Sequence, residues 1–380
     1  MQYTLQVFTG SWHETHEVSE RMIRRIDEIS SRIPVNRVII GWKMDPAFYS
    51  ALASRLHRAG IKMLLWLPVF TEVREVGETE EALDLSGRRI VPSDQAETAF
   101  AFDCPSSRRN IAIVEELYEK NFADCGFDGV FLDRIRSQSF AAGVPGVLSC
   151  GCEKCRKAYQ KRGVDTEAVW KQYTLKRDSF FDIASYPANG QFILKDPLAQ
   201  RFFEAKEEMI AEAASEICRY FKEKGLIVGL DLFAPFISRF AGQNYTMITQ
   251  YADFIKPMLY RRTEAPAGIE YEYRLIEKHV PGAQGRKRLT ADKAFLDTQL
   301  EAARCVPCES YPGIELNYNK DIVRTDAEYI TESLAAVKEH GFGGVVLSWN
   351  VVEAPDKHIE AVKAFEQRHP DSDLPGLSPF

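Results

Sequence analysis

The stretch Phe127-Asp128-Gly129-Val130-Phe131-Leu132-Asp133-Arg134-Ile135-Arg136 decides how this chain is read. Residues 129–132 are apolar without a break, and the run stops on the carboxylate of Asp133. A short continuous apolar run reads as a strand buried on both faces, the signature of parallel sheet. Working outward, seven more runs of this kind appear: 5–9, 37–43, 62–67, 226–233, 254–260, 313–318 and 344–350. Between them lie segments of helical period. Residues 19–33 carry Met22, Ile23, Ile26 and Ile29 on one face, 48–59 carry Leu52, Leu56 and Ala59, and 110–122 carry Ile113, Leu117 and Tyr118. Segments 202–221 and 329–340 read the same way. Ala59-Gly60-Ile61-Lys62 ends a helix on glycine and begins a strand at once, and Lys224-Gly225-Leu226 and His340-Gly341-Phe342 repeat the device.

Eight strands alternating with helices predict an α/β fold, a (β/α)8 TIM barrel. The rival is a doubly wound open sheet, which usually places a glycine-rich phosphate loop after its first strand. Here that strand runs into Thr9-Gly10-Ser11-Trp12-His13, which is no such loop. The 380 residues would allow two or three domains by length alone. The strand count instead assigns residues 1–370 to one barrel with long βα loops. Within it, 138–200 is a cysteine-containing insertion over the active-site face, and 371–380 is a loose tail. The insertion shows no obvious core of its own.

Hydrophobic residues at 45% and charged residues at 27% fit a globular protein. A net charge of −7 argues against nucleic acid as a partner. No run of 18 apolar residues exists, so no membrane span is expected. Met1-Gln2-Tyr3-Thr4 opens no basic-then-apolar segment, so no signal peptide is expected and the predicted location is cytoplasmic. H-E-x-x-H, G-x-S-x-G and Walker motifs are missing, which removes support for metalloprotease, α/β-hydrolase and P-loop chemistry.

In a barrel of this type, catalytic groups come from the C-terminal ends of the strands. Those ends supply Trp12, His13, Trp42, Lys43, Trp66, Asp133, Arg136, Asp231, Tyr260, Glu315, Asn317, Trp349 and Asn350. The set is acidic and aromatic. Aromatic faces stack on sugar rings, and paired carboxylates cleave glycosidic bonds. Asp133 is the first candidate, set against a plain cap or a salt bridge to Arg134 or Arg136. Asp231 and Glu315 each interrupt an apolar strand, where an acid is costly unless paired or used. Asp128 begins its strand and reads as structural.

Cys150-Gly151-Cys152-Glu153-Lys154-Cys155 is a compact C-x-C-x-x-C. With Cys104 as a fourth ligand, it is a candidate structural zinc site, set against chance reduced thiols. Cys305-Val306-Pro307-Cys308 is a weaker pair. No cofactor is expected for catalysis itself.

Residues 127–136 also resemble the fourth-strand F-D-G-[IV]-x-x-D segment of a glycoside-hydrolase-like TIM-barrel family. In several of its members a C-x-C-x-x-C stretch follows and opens a helix with an aromatic, and residues 150–159 look like it. Residues 229–235, Gly242-Gln243 and 253–260 are similar to the family's fifth and sixth strands, and 343–349 to its last. The resemblance spans most of the chain. It implies that Asp133 is the best-placed catalytic carboxylate. Family 18 chitinases share more distantly the F-D-G opening, the Met-x-Tyr of Met258-Leu259-Tyr260 and the final Trp349. Their acid stands two residues after the position of Asp133, where this chain has Ile135.

The expected activity is therefore hydrolysis of O-glycosidic bonds in an oligo- or polysaccharide. Asp133 is nucleophile or base, and Asp231 or Glu315 is its partner acid. A sugar-binding barrel without turnover is the alternative. A barrel isomerase or aldolase ranks lower, because histidine is scarce and only Lys43 and Lys256 lie near strands.

Overall fold

The computed structural model describes residues 1–12, 19–90, 101–177, 179–185, 192–279 and 291–369. Eight parallel strands build the barrel. They are β1 (Gln2–Phe8), β2 (Val35–Gly41), β3 (Lys62–Pro68), β4 (Gly129–Asp133), β5 (Ile227–Phe233), β6 (Phe254–Met258), β7 (Gly313–Glu315) and β8 (Gly344–Ser348). Each pairs with the next in sequence, and β8 pairs with β1. The (β/α)8 barrel expected from the sequence is the fold.

The apolar runs became strands because both of their faces are covered. Every residue of β4 is buried, and in β3 only Lys62 is exposed. One face packs inside the barrel and the other against the helix layer. Packing at the two faces stabilises the strand more than local propensity does.

Helices begin where a side chain caps them. Asp45 accepts from Phe48 N–H, and Pro46–Arg58 follows. Ser107 accepts from Asn110 N–H ahead of Arg108–Asn121. Asp196 accepts from the Leu198 and Ala199 amides ahead of Pro197–Glu223, so this helix starts five residues before Phe202, where periodicity alone placed it. At the other end, Gly60 has φ +72° and donates to His57 O at 3.0 Å, while Ile61 donates to Leu56 O at 2.9 Å. Gly225 and Gly341 close their helices with the same pair of bonds.

The two long gaps hold structure of their own. Between β4 and β5 lie helices Gly143–Val147, Glu153–Lys161 and Thr166–Leu175, then an antiparallel hairpin of Ile183–Ser185 and Ile193–Leu194. This segment is anchored through rings that it shares with the helix Pro197–Glu223 and with the chain after β5. Phe140, Phe181, Phe192 and Phe203 gather around Phe240, with centroids 4.6 to 6.1 Å from it. The rings come from turns and separate elements, so no single period announces them. Between β6 and β7 lie helices Ile269–His279 and Lys293–Ala303.

The barrel closes unevenly. β6 meets β7 at one register pair, Gly313 with Met258. The lower part of β6 pairs instead with the short strand Glu309–Ser310. Among the described residues no helix is long and apolar enough to cross a membrane. The tail 371–380 lies outside the described residues.

Candidate active site

Strand parity builds the floor of the site. Asp231 and Lys256 stand opposite each other in the β5–β6 register, and Trp66 stands opposite Phe131 in β3–β4. Residues paired this way share a face. Asp133 ends β4 on the same face as Phe131, two residues on. Gln6 and Phe8 of β1 join from the far side. Above this layer a cavity of about 300 Å³ opens at the C-terminal ends of the strands. Its acids are Asp133 and Asp231, its cations Arg134 and Arg136, and its rings include Trp42, Trp66, Tyr260 and Trp349. The loop after β6 supplies Thr263 and Ala265 to Ala267.

Asp133 is held in place by two donors. Trp66 Nε1–H donates to Oδ2 at 2.9 Å, and the Arg134 amide donates to Oδ1 at 2.6 Å. Arg134 takes a left-handed backbone, φ +53°. For a residue with a Cβ this conformation is uncommon. Its guanidinium is tied to Thr71 Oγ1 at 2.8 Å and Glu72 Oε1 at 2.7 Å, and it lies 4.6 Å from the Trp42 ring centroid.

Asp231 is the most perturbed acid of the cavity. Its Oδ2 accepts from Lys256 Nζ at 2.9 Å, and Lys256 also donates to Gln6 Oε1 at 2.8 Å. Oδ1 has no hydrogen-bond partner. Burial pushes the carboxyl up to about 7; the Lys256 ammonium opposes that rise, and the Asp133 charge adds to it. The two acids therefore feel each other across adjacent strands.

Arg136 is clamped between two rings, 4.1 Å from the Phe233 centroid and 4.6 Å from that of Phe102. Burial lowers its guanidinium to about 10, with Glu272, Asp133 and Asp231 opposing. Tyr260 is buried at the cavity wall, and burial raises its hydroxyl well above the usual range. The Gly41–Trp42 and Ser348–Trp349 peptide bonds that precede two of the cavity tryptophans are cis.

Of the residues singled out from sequence, Trp42, Trp66, Asp133, Arg136, Asp231, Tyr260 and Trp349 line this cavity. Others are placed elsewhere. Trp12 is buried beneath, donating to Glu72 O at 3.1 Å and packing on Trp42 and Phe122. Lys43 lies 3.9 Å from Asp45. Glu315 is enclosed by the Arg262 amide at 2.7 Å, Thr263 Oγ1 at 3.1 Å and the Tyr329 hydroxyl. Burial raises its carboxyl, and the Tyr329 hydroxyl is the main opposing influence. Asn317 accepts from Trp349 N–H at 3.2 Å, and Asn350 accepts from Phe8 N–H at 3.3 Å, so both tie strand ends together. His13 lies outside the described residues. Asp128 accepts from the Met63 amide at 2.7 Å at the start of β4, a structural position.

Sequence reasoning passed over Gln6 and Phe233, and gave no place in the site to Arg134 or Lys256, which it named only as a salt-bridge partner of Asp133 and as a lysine near a strand. A signal existed for two of them: Gln6 and Lys256 are polar residues inside apolar strands, as Asp231 is. A larger open groove of about 1310 Å³ lies on the outside of the barrel near Arg108, Lys157 and Glu212, and no strand-end residue lines it.

No protein-family model and no curated protein matches the sequence. Solved structures do match in fold. The glycoside hydrolase domain of PgaB (BpsB) from Bordetella bronchiseptica superposes with a TM-score of 0.56 at 15% identity, over 97% of this chain and 96% of that one. Alpha-L-fucosidase isoenzyme 2 from Paenibacillus thiaminolyticus gives 0.59 at 12% identity, over 96% of this chain and 49% of that one. The likeness is one of fold, a (β/α)8 barrel over nearly the whole chain.

Proposed function

We propose that this chain hydrolyses O-glycosidic bonds of an oligo- or polysaccharide at the barrel mouth, with Asp133 and Asp231 as its carboxylate pair. One observation carries the reading: two acids on adjacent strands share an aromatic-walled cavity, and one of them is poised near 7. A general acid must hold its proton at neutral pH. Asp231 does so because burial outweighs the nearby ammonium. In this scheme Asp231 gives its proton to the leaving-group oxygen. Asp133, aligned by the Trp66 indole and the Arg134 amide, attacks the anomeric carbon or takes a proton from water.

Glu315, the other acid considered, has its oxygens occupied by three donors, which favours Asp231 for the role. Trp42, Trp66, Tyr260 and Trp349 present apolar faces to the sugar ring, and Arg136 offers a fixed cation to a hydroxyl or carboxylate. The chemistry needs no cofactor, and the partner it calls for is a carbohydrate.

The test is a screen of nitrophenyl glycosides and oligosaccharides with the wild type, Asp133→Asn and Asp231→Asn. Both variants should lose turnover while keeping the fold by circular dichroism. Wild-type activity in Asp133→Asn would overturn the assignment. A second reading, sugar binding without turnover, draws on the Lys256 contact, which already gives Asp231 a partner. Calorimetric binding of an oligosaccharide with no product release would favour it.

A further inference from the structure

We propose that Cys104, Cys150, Cys152 and Cys155 bind one Zn²⁺ in a closed tetrathiolate site that pins the β3–β4 loop to the β4–β5 segment. Their four Sγ atoms lie within 4.8 Å of one another. Cys104 Sγ is 3.4 Å from Cys155 Sγ and 3.5 Å from Cys152 Sγ. A tetrahedron with Zn–S bonds of about 2.3 Å has edges of about 3.8 Å. A disulfide would need about 2.05 Å, and all four cysteines are free. The separations thus suit a shared ion.

The surroundings suit thiolates. The Leu83 amide donates to Cys150 Sγ at 3.4 Å, and the Cys155 amide donates to Cys152 Sγ at 3.5 Å. Cys152 also caps the helix Glu153–Lys161, whose N-terminal dipole favours negative charge. Behind the cluster lies Lys206, 2% exposed. Its Nζ donates to the carbonyl oxygens of Val147 and Phe240. Among the described residues no carboxylate lies within ion-pairing distance of it. Four thiolates and one Zn²⁺ carry a net charge of −2, which supplies the missing counter-charge for this buried cation.

The ligands come from two loops that meet a third. Gly151 donates to Leu83 O at 2.8 Å, and a Cβ at Gly151 would stand 2.1 Å from Asp84 O, so the x of C-x-C must be glycine. Cys104 O accepts from Asn110 Nδ2, which also holds Glu80 O, each at 2.9 Å. Two residues before Cys104 stands Phe102, one of the two rings on Arg136. Four protein ligands leave no open position, so the ion is structural and its binding energy is folding energy.

Metal analysis of the desalted full-length protein should find about one zinc per chain. Mercurial titration should release it in proportion to four thiols. Cobalt-reconstituted protein should show thiolate-to-metal charge transfer and the intense visible bands of tetrahedral cobalt. Cys155→Ser should lower zinc content and melting temperature together, and the double variant Cys305→Ser, Cys308→Ser should change neither. If Cys155→Ser fails to fold, the wild-type metal content and the cobalt spectrum still decide. Wild-type protein that takes up no zinc or cobalt after reduction overturns the proposal, as does a disulfide at Cys104 in protein isolated with reductant. None of these readouts depends on glycosidase activity.

Discussion

Replacing Asp231 by asparagine should remove a pH dependence of stability that this one carboxyl imposes. Burial lifts the group from 3.8 to about 7 in the folded chain. Between those values the folded protein holds a proton that the unfolded chain has released. Its contribution to stability is therefore full below about pH 4 and is lost as pH rises through about 7. The gap from 3.8 to about 7 corresponds to about 4 kcal/mol in all, of which about 2.5 kcal/mol falls between pH 5 and pH 8. Asparagine cannot titrate. Urea unfolding of both proteins at pH 5 and pH 8 gives the double difference directly. The variant should gain about 2.5 kcal/mol on the wild type across that range. At pH 5 Lys256 faces a protonated Asp231 in the wild type, as it faces a neutral amide in the variant, so its counter-charge is lost only at pH 8, and that interaction is already contained in the Asp231 shift. Parallel pH dependence of the two proteins, within about 1 kcal/mol, would mean that Asp231 is ionised when folded. It would then have no proton to donate at neutral pH, and the acid role would fall with it.

The same carboxyl sets the alkaline limb of the activity profile, so kcat/KM should decline above about pH 7 in the wild type. Lys256→Met should destabilise the protein more at pH 8, where it leaves an ionised Asp231 buried without its cation, than at pH 5, where Asp231 is protonated, as urea unfolding at the two pH values would show. The alkaline limb should then move to higher pH, since the ammonium lowers the Asp231 pKa; a limb that stays fixed would refute the pairing's effect on activity. Trp349→Ala should weaken sugar binding by about 1 kcal/mol, a fivefold to tenfold rise in KM with kcat little changed. A matching fall in kcat instead would place Trp349 in catalytic positioning rather than ground-state binding.

The barrel was legible because burial on both faces leaves a continuous apolar run, and because helix C-caps at Gly60, Gly225 and Gly341 mark the returns to strand. The metal-ligand candidates were legible for a different reason, since C-x-C-x-x-C spacing is local. What escaped depends on register between strands. Nothing near Asp231 in sequence names Lys256; the two meet because β5 and β6 are staggered so that they face each other. Glu315 read as a second catalytic acid because an acid in a closed strand looks unexplained. Its explanation sits on the Ala327–Glu339 helix, in Tyr329, and in the loop after β6. The tryptophans divide likewise. Trp42, Trp66 and Trp349 reach the cavity, whereas Trp12, also near a strand end, is turned down into the packing beside Phe122.

The uneven closure between β6 and β7 gives Glu315 a purpose of its own. With one register pair across that junction, the backbone ladder there is sparse. The Glu315 carboxylate, rooted in β7, grips the amide of Arg262 and the hydroxyl of Thr263 on the chain leaving β6. It works as a rivet where the wall has few stitches. Opening of the barrel on this side would begin with the rivet, and amide exchange at Arg262 would report it well before the remaining strands separate.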